Sequence, residues 1–64
     1  MKIKWTNKFS NESGYVKYID YPKRHFVNTF NKDEARSFKS AQAQIDKLVE
    51  YGEAVNNEFI VVDD

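Results

Sequence analysis

Ser40-Ala41-Gln42-Ala43-Gln44-Ile45-Asp46-Lys47-Leu48-Val49-Glu50-Tyr51-Gly52 is the one stretch of this chain with a clear helical period. Ala41, Ile45 and Leu48 stand at i, i+4 and i+7, which puts them on one buried stripe. Ser40 is an N-cap candidate, and Gly52 stands where a C′ glycine ends a helix. Gln42, Asp46, Lys47 and Glu50 then fall on or near the outer face. An amphipathic helix needs a second layer to cover its stripe. The rest of the chain reads as strands and turns.

Residues 1–9 alternate, with Met1, Ile3, Trp5 and Phe9 on one side and Lys2, Lys4, Thr6 and Lys8 on the other. A period of two predicts a half-buried strand with a wet, basic outer face. Residues 10–14 are turn formers, with Gly14 available for positive φ. Residues 15–21, rich in aromatic and β-branched side chains, read as a second strand in a hairpin with the first. Pro22-Lys23-Arg24 is a turn or bulge before a third extended run at 25–30. One long bent strand is the alternative to a second hairpin there.

Residues 31–34 break the strand pattern, and 33–36 form either a short turn of helix or a connecting loop. Beyond the helix, Asn56-Asn57 marks a turn and 58–63 the last strand. Phe59-Ile60-Val61-Val62 is apolar on both sides, which predicts a place inside the sheet rather than at an edge. The expectation is a single α+β domain over residues 1–64. Its order is β-β-β-α-β, an antiparallel or mixed sheet of three to four strands with one helix packed on one face. The other face is expected to be partly open and to carry the Lys2, Lys4 and Lys8 row.

Sixty-four residues allow one thin core, and no cysteine is present to staple it or to make a thiolate zinc site. Ten aromatic residues supply buried area instead. Trp5, Phe9 and about half of the tyrosines are expected in that core. No apolar run approaches the ~20 residues of a membrane span, and the basic start lacks the apolar segment of a signal peptide. The chain is therefore expected to be full length, unprocessed and cytoplasmic, without a membrane partner.

Net charge is zero, but it is sorted. Residues 1–32 hold seven basic and two acidic side chains, a formal +5, while 33–64 hold three and eight, a formal −5. Such asymmetry is a hint about partners and favours head-to-tail or antiparallel self-association. A symmetric homodimer would also complete the thin core.

Glu34-Ala35-Arg36-Ser37-Phe38-Lys39-Ser40-Ala41, running into Ile45, Leu48 and Gly52, resembles a pattern of small phage and prophage proteins. There, aromatic-rich strands lead to E-A-x-x-F-x-S, an amphipathic helix and a final strand. The resemblance covers about residues 33–62. It implies an accessory, anti-defence or anti-CRISPR-type binder acting in the host bacterial cytoplasm, and it transfers no catalytic residue.

Catalytic chemistry finds little support. His25 is the single histidine, no cysteine can serve as its nucleophile, and a Ser-His-Asp set from Ser37 or Ser40 with Asp20 lacks room for an oxyanion hole. Gly14 and Gly52 lie too far apart for a phosphate loop, and Glu58 with Asp63 and Asp64 makes no calcium cage. No catalytic residue, metal or cofactor is therefore assigned.

Two binding readings remain. Tyr15, Tyr18, Tyr21, Lys23 and Arg24 are candidates for contact with a larger host or phage protein, because Tyr and Arg are enriched at interface hot spots. Alternatively Lys2, Lys4, Lys8 and Lys17, interleaved with aromatics, would hold nucleic acid on the sheet face. Asp46, Glu50 and Glu53, near i, i+4 and i+7, would set three carboxylates along one helix face that could occupy a basic groove.

Overall fold

The computed structural model describes all residues from Met1 to Asp64. Its elements are β1 (Lys2–Asn7), β2 (Ser13–Asp20), β3 (His25–Thr29), α1 (Ala41–Glu50) and β4 (Asn57–Val62). Short 3-10 turns at Lys32–Glu34 and Glu53–Val55 flank the helix. The β-β-β-α-β order holds. The sheet has four strands in the order β3-β2-β1-β4, and every pairing is antiparallel.

Residues 15–30 are a hairpin, not a bent strand. The Arg24 N–H donates to the Tyr21 carbonyl at 3.1 Å, so Pro22 falls inside a tight turn where its missing donor leaves no gap in a ladder. In the first turn the positive φ belongs to Asn11, at 62°, rather than to Gly14. Asn7 organises that turn, its Oδ1 accepting from the N–H groups of Phe9 and Ser10. β1 therefore stops at Asn7, and Phe9 is 78% exposed instead of lying in the core row.

Gly14 has another task. It lies buried in β2 opposite Trp5, and an added Cβ would meet the indole and the Thr29 carbonyl oxygen at 2.8 Å. The missing side chain lets the indole lie across the strand.

β2 carries a bulge. Val16 pairs with Asn28 but Tyr18 with Val27, which leaves Lys17 over. Regular alternation from Gly14 and Val16 would turn Tyr18 and Asp20 inward. The extra residue instead puts Ile19 in the core and leaves Tyr18 outside.

The helix lies where its stripe predicts. Ala41, Ile45 and Leu48 are buried against Ile3, Trp5, Val16, Ile19 and Phe38. Ser40 occupies the N-cap position, although its hydroxyl makes no capping bond, and Gly52 follows the helix in left-handed conformation at φ 89°. Between sheet and helix the chain threads a gap. The β1–β2 ladder extends only from Lys4 opposite Tyr15 to Thr6 opposite Ser13. Beyond it, Arg36 N–H donates to the carbonyls of Val16 and Lys17, and Phe38 N–H to that of Met1. The 36–38 segment thus satisfies backbone groups the ladder leaves free.

β4 is an edge strand, contrary to the expectation from its doubly apolar sequence. It pairs with β1 alone, from Asn57 opposite Asn7 to Val62 opposite Lys2. Phe59 and Val61 meet the core and Ile60 is half exposed on the other face. The sheet curls strongly enough that Phe26 on one edge strand meets Phe59 on the other, edge to face with ring centroids 5.4 Å apart. Trp5 lies 6.3 Å from the Phe26 centroid and 5.9 Å from Phe30, so four rings gather around the indole end of the core.

Candidate functional site: the β2–β3 turn

The five residues expected to contact a protein do not form one surface. Tyr15 and Tyr18 share the face turned away from the helix, as their cross-strand partners Lys4, Thr29 and Val27 do. Tyr15 is half-buried there and Tyr18 exposed. Tyr21, Lys23 and Arg24 belong to the turn, and this turn leans on the helix side. Sequence alternation carried past the bulge cannot separate these sets, because one extra residue exchanges inside for outside.

The turn is held at several points. The Asp20 carboxylate accepts from the Lys23 N–H at 3.2 Å, three residues on, across the turn. The Tyr21 hydroxyl donates to Oε1 of Gln44 on α1 at 2.6 Å. The Arg24 guanidinium sits over the Tyr51 ring, 4.8 Å from its centroid, at the C-terminal end of the helix. Arg24 itself has φ 58°, a left-handed conformation that glycine or asparagine adopts at lower cost. The chain therefore presents a tyrosine, a lysine and an arginine on a fastened convex tip. Gln44 and Tyr51, which fasten it, carried no signal in the sequence beyond their places on the helix.

The basic row is altered too. Lys2 and Lys4 stand half-buried on the face away from the helix, but Lys8 lies past the end of β1, in the turn. The Lys2 ammonium donates to the Lys32 carbonyl at 2.7 Å, and the Lys8 ammonium to the Ala54 carbonyl at 2.8 Å. Both therefore satisfy carbonyls of the 3-10 turns. Lys17 is exposed at the bulge. Because β4 pairs with β1, Glu58 joins this face opposite Thr6, and Asp20 joins it opposite His25. The face carries both signs rather than a uniform positive field.

The acidic row is broken. Asp46 and Glu50 are exposed on the helix, with Asp46 accepting from the Gln42 amide at 3.2 Å. Glu53 follows the left-handed Gly52 in a 3-10 turn and is only half exposed, so the helical i+7 spacing no longer applies. No three metal-ligating side chains converge, and no helix is long and apolar enough to cross a membrane. Comparison with known proteins finds no family model, no curated protein and no solved structure that matches this chain.

Proposed function

We propose that this chain is a non-enzymatic protein-binding module, an inhibitor of phage or prophage type that covers a surface of a larger host protein in the bacterial cytoplasm. The β2–β3 turn is its contact. The observation that carries this reading is Arg24, kept in a left-handed conformation at the hairpin tip and laid over Tyr51. Backbone strain is favoured where a side chain is needed for a task. Tyr21 and Arg24 are residue types that dominate binding energy, and both are already held by contacts within the fold. Order in the free state reduces the conformational entropy lost on association. Lys23 and Arg24 together suit an acidic patch on the partner.

Tyr15 and Tyr18 stand outside this contact, on the face that also holds Lys4 and Glu58. The nucleic-acid reading has less support, because Glu58 and Asp20 join the lysine-bearing face and oppose phosphate there.

The test immobilises the chain and passes bacterial extract over it at about 0.5 M salt, where phosphate-driven binding is weakened. A stoichiometric protein retained by the wild type and by Tyr18→Ala, but lost with Lys23→Glu or Arg24→Ala, supports the reading. Retention unaffected by either turn variant contradicts it. So does oligonucleotide binding at ~50 mM salt that Lys4→Glu and Lys17→Glu abolish, with no protein retained.

A further inference from the structure

We infer that β4 is a dimerisation strand: it pairs antiparallel with β4 of a second copy of this chain, about a two-fold axis at Ile60, and so joins two four-stranded sheets into one of eight. This inference is independent of the proposed contact at the β2–β3 turn.

β4 runs six residues in unbroken register with β1, without a bulge. It contains no proline, lysine or arginine. The backbone groups of Glu58–Val62 make no hydrogen bond outside the β1 ladder. Natural edge strands normally carry charged side chains, a proline, a bulge or a cover that prevents pairing, and of these β4 has only the single charge of Glu58. The opposite edge is different. β3 has five residues, its partner is bulged, the His25 ring lies 3.3 Å from the Phe26 carbonyl and Asn28 is exposed between Val27 and Thr29. β4 is the regular edge of the two.

The occupant follows from complementarity. When β4 is laid antiparallel on itself with Ile60 opposite Ile60, Phe59 faces Val61 and Glu58 faces Val62. Asn57 then faces Asp63, and Asn56 faces Asp64. No carboxylate opposes another. Centring instead on Val61 sets Glu58 against Asp64, and centring on Phe59 sets Asn57 against Val61. Like charges opposite each other destabilise a pair, and an apolar pair is replaced by a mixed one in the second case.

The faces agree with the same register. On the helix side the row becomes Ile3, Val61, then Phe59 and Trp5 of the second copy, continuous with each core because β1 pairs Ile3 with Val61 and Trp5 with Phe59. On the other face the row becomes Thr6, Glu58, then Val62 and Lys2 of the second copy, so each acid approaches the basic start of the other chain. Only 11 of 64 residues are buried in the single chain, and Phe59 and Val61 are half exposed. Association is a common way for a domain this small to complete its core. The β4–β4 contact is isologous and closes as a dimer, whereas β4 on β3 would be heterologous and could grow without limit.

The experiment is sedimentation velocity of the full chain over a concentration series, with Ile60→Lys alongside. Ile60 is 50% exposed and outside the core, so the variant is expected to fold, which its circular dichroism checks. The wild type is expected to reach a dimer and stop there, and Ile60→Lys to weaken it by about tenfold or more, since it sets two ammonium groups against each other at the axis. The chain has no cysteine, so Ile60→Cys introduces a unique thiol. That variant is expected to cross-link in mild oxidant faster than Glu12→Cys in the distant β1–β2 turn. A wild-type chain that stays monomeric to about 1 mM overturns the inference. A dimer indifferent to Ile60→Lys, equal cross-linking by the two thiols, or open-ended growth overturns it as well.

Discussion

Gly14 and Arg24 are placed in opposite ways by their backbones. Gly14 has no positive φ and is needed only because the Trp5 indole and the Thr29 carbonyl occupy the space of a Cβ. Gly14→Ala is expected to cost about 1–3 kcal/mol in chemical denaturation, as overpacking of a filled site does. Arg24 is exposed but has an unfavourable φ. Arg24→Gly relieves that conformation and Arg24→Ala does not, so the glycine variant is expected to be more stable than the alanine variant by about 1 kcal/mol. Both lose the cation over Tyr51, and both are expected to lose partner binding. A ranking in which alanine is the more stable would show that φ at this position is not a constraint. The sequence marked residue 14 as a turn glycine because turn formers precede it. That a tryptophan lies across it follows from pairing between strands, which no local pattern records.

Among elements, the bulge at Lys17 does most to arrange the molecule. It makes Ile19 a core residue and Tyr18 a surface one, against the alternation that starts at Gly14 and Val16. Ile19→Ala is expected to lower stability by about 2–5 kcal/mol, and Tyr18→Ala by less than ~1 kcal/mol, read from urea unfolding midpoints. Equal effects would mean that the bulge is not where the pairing puts it. The helix, its buried stripe and its terminal glycine were legible because they depend on neighbours within one or two turns. The interruption at Pro22 was legible, but not whether it closes a hairpin or bends one long strand, because that depends on the pairing of β2 with β3. The edge position of β4 was not. Two apolar faces predict burial on both sides, and the sequence has no term for which strand lies beside β1. The acidic row failed for a related reason, because Gly52 ends the helix before Glu53 can share its face.

At the scale of the molecule, a curled sheet, one helix and a threaded connection enclose a small core, and the two chain ends meet beside it. The Met1 ammonium lies 2.9 Å from the Asp64 carboxylate, and the Ser37 hydroxyl is 2.7 and 2.8 Å from its two oxygens. The hydroxyl first, and then the ammonium, hold the Asp64 carboxyl below its ordinary value of 3.8. A carboxyl lowered in the folded state stabilises the fold fully above its ordinary pKa, and that contribution disappears as pH falls through the lowered value. The Asp64 carboxyl is therefore expected to titrate below 3.8 by NMR. Between about pH 5 and about pH 2 the thermal midpoint of Asp64→Asn should fall less than that of the wild type. Identical slopes would remove the clamp from the account.

The sorted charges of the sequence end up on a body with mixed faces, and the proposed contact is the basic projection fastened to the helix, the turn of Tyr21, Lys23 and Arg24. Hydrogen–deuterium exchange of the free chain against the chain in its captured complex reads that assignment directly. New protection is expected at Tyr21–Arg24 and at the C-terminal turn of α1, with β1 unchanged. Protection confined to β1 and the Tyr15–Tyr18 stretch, leaving the turn as open as in the free chain, would contradict it.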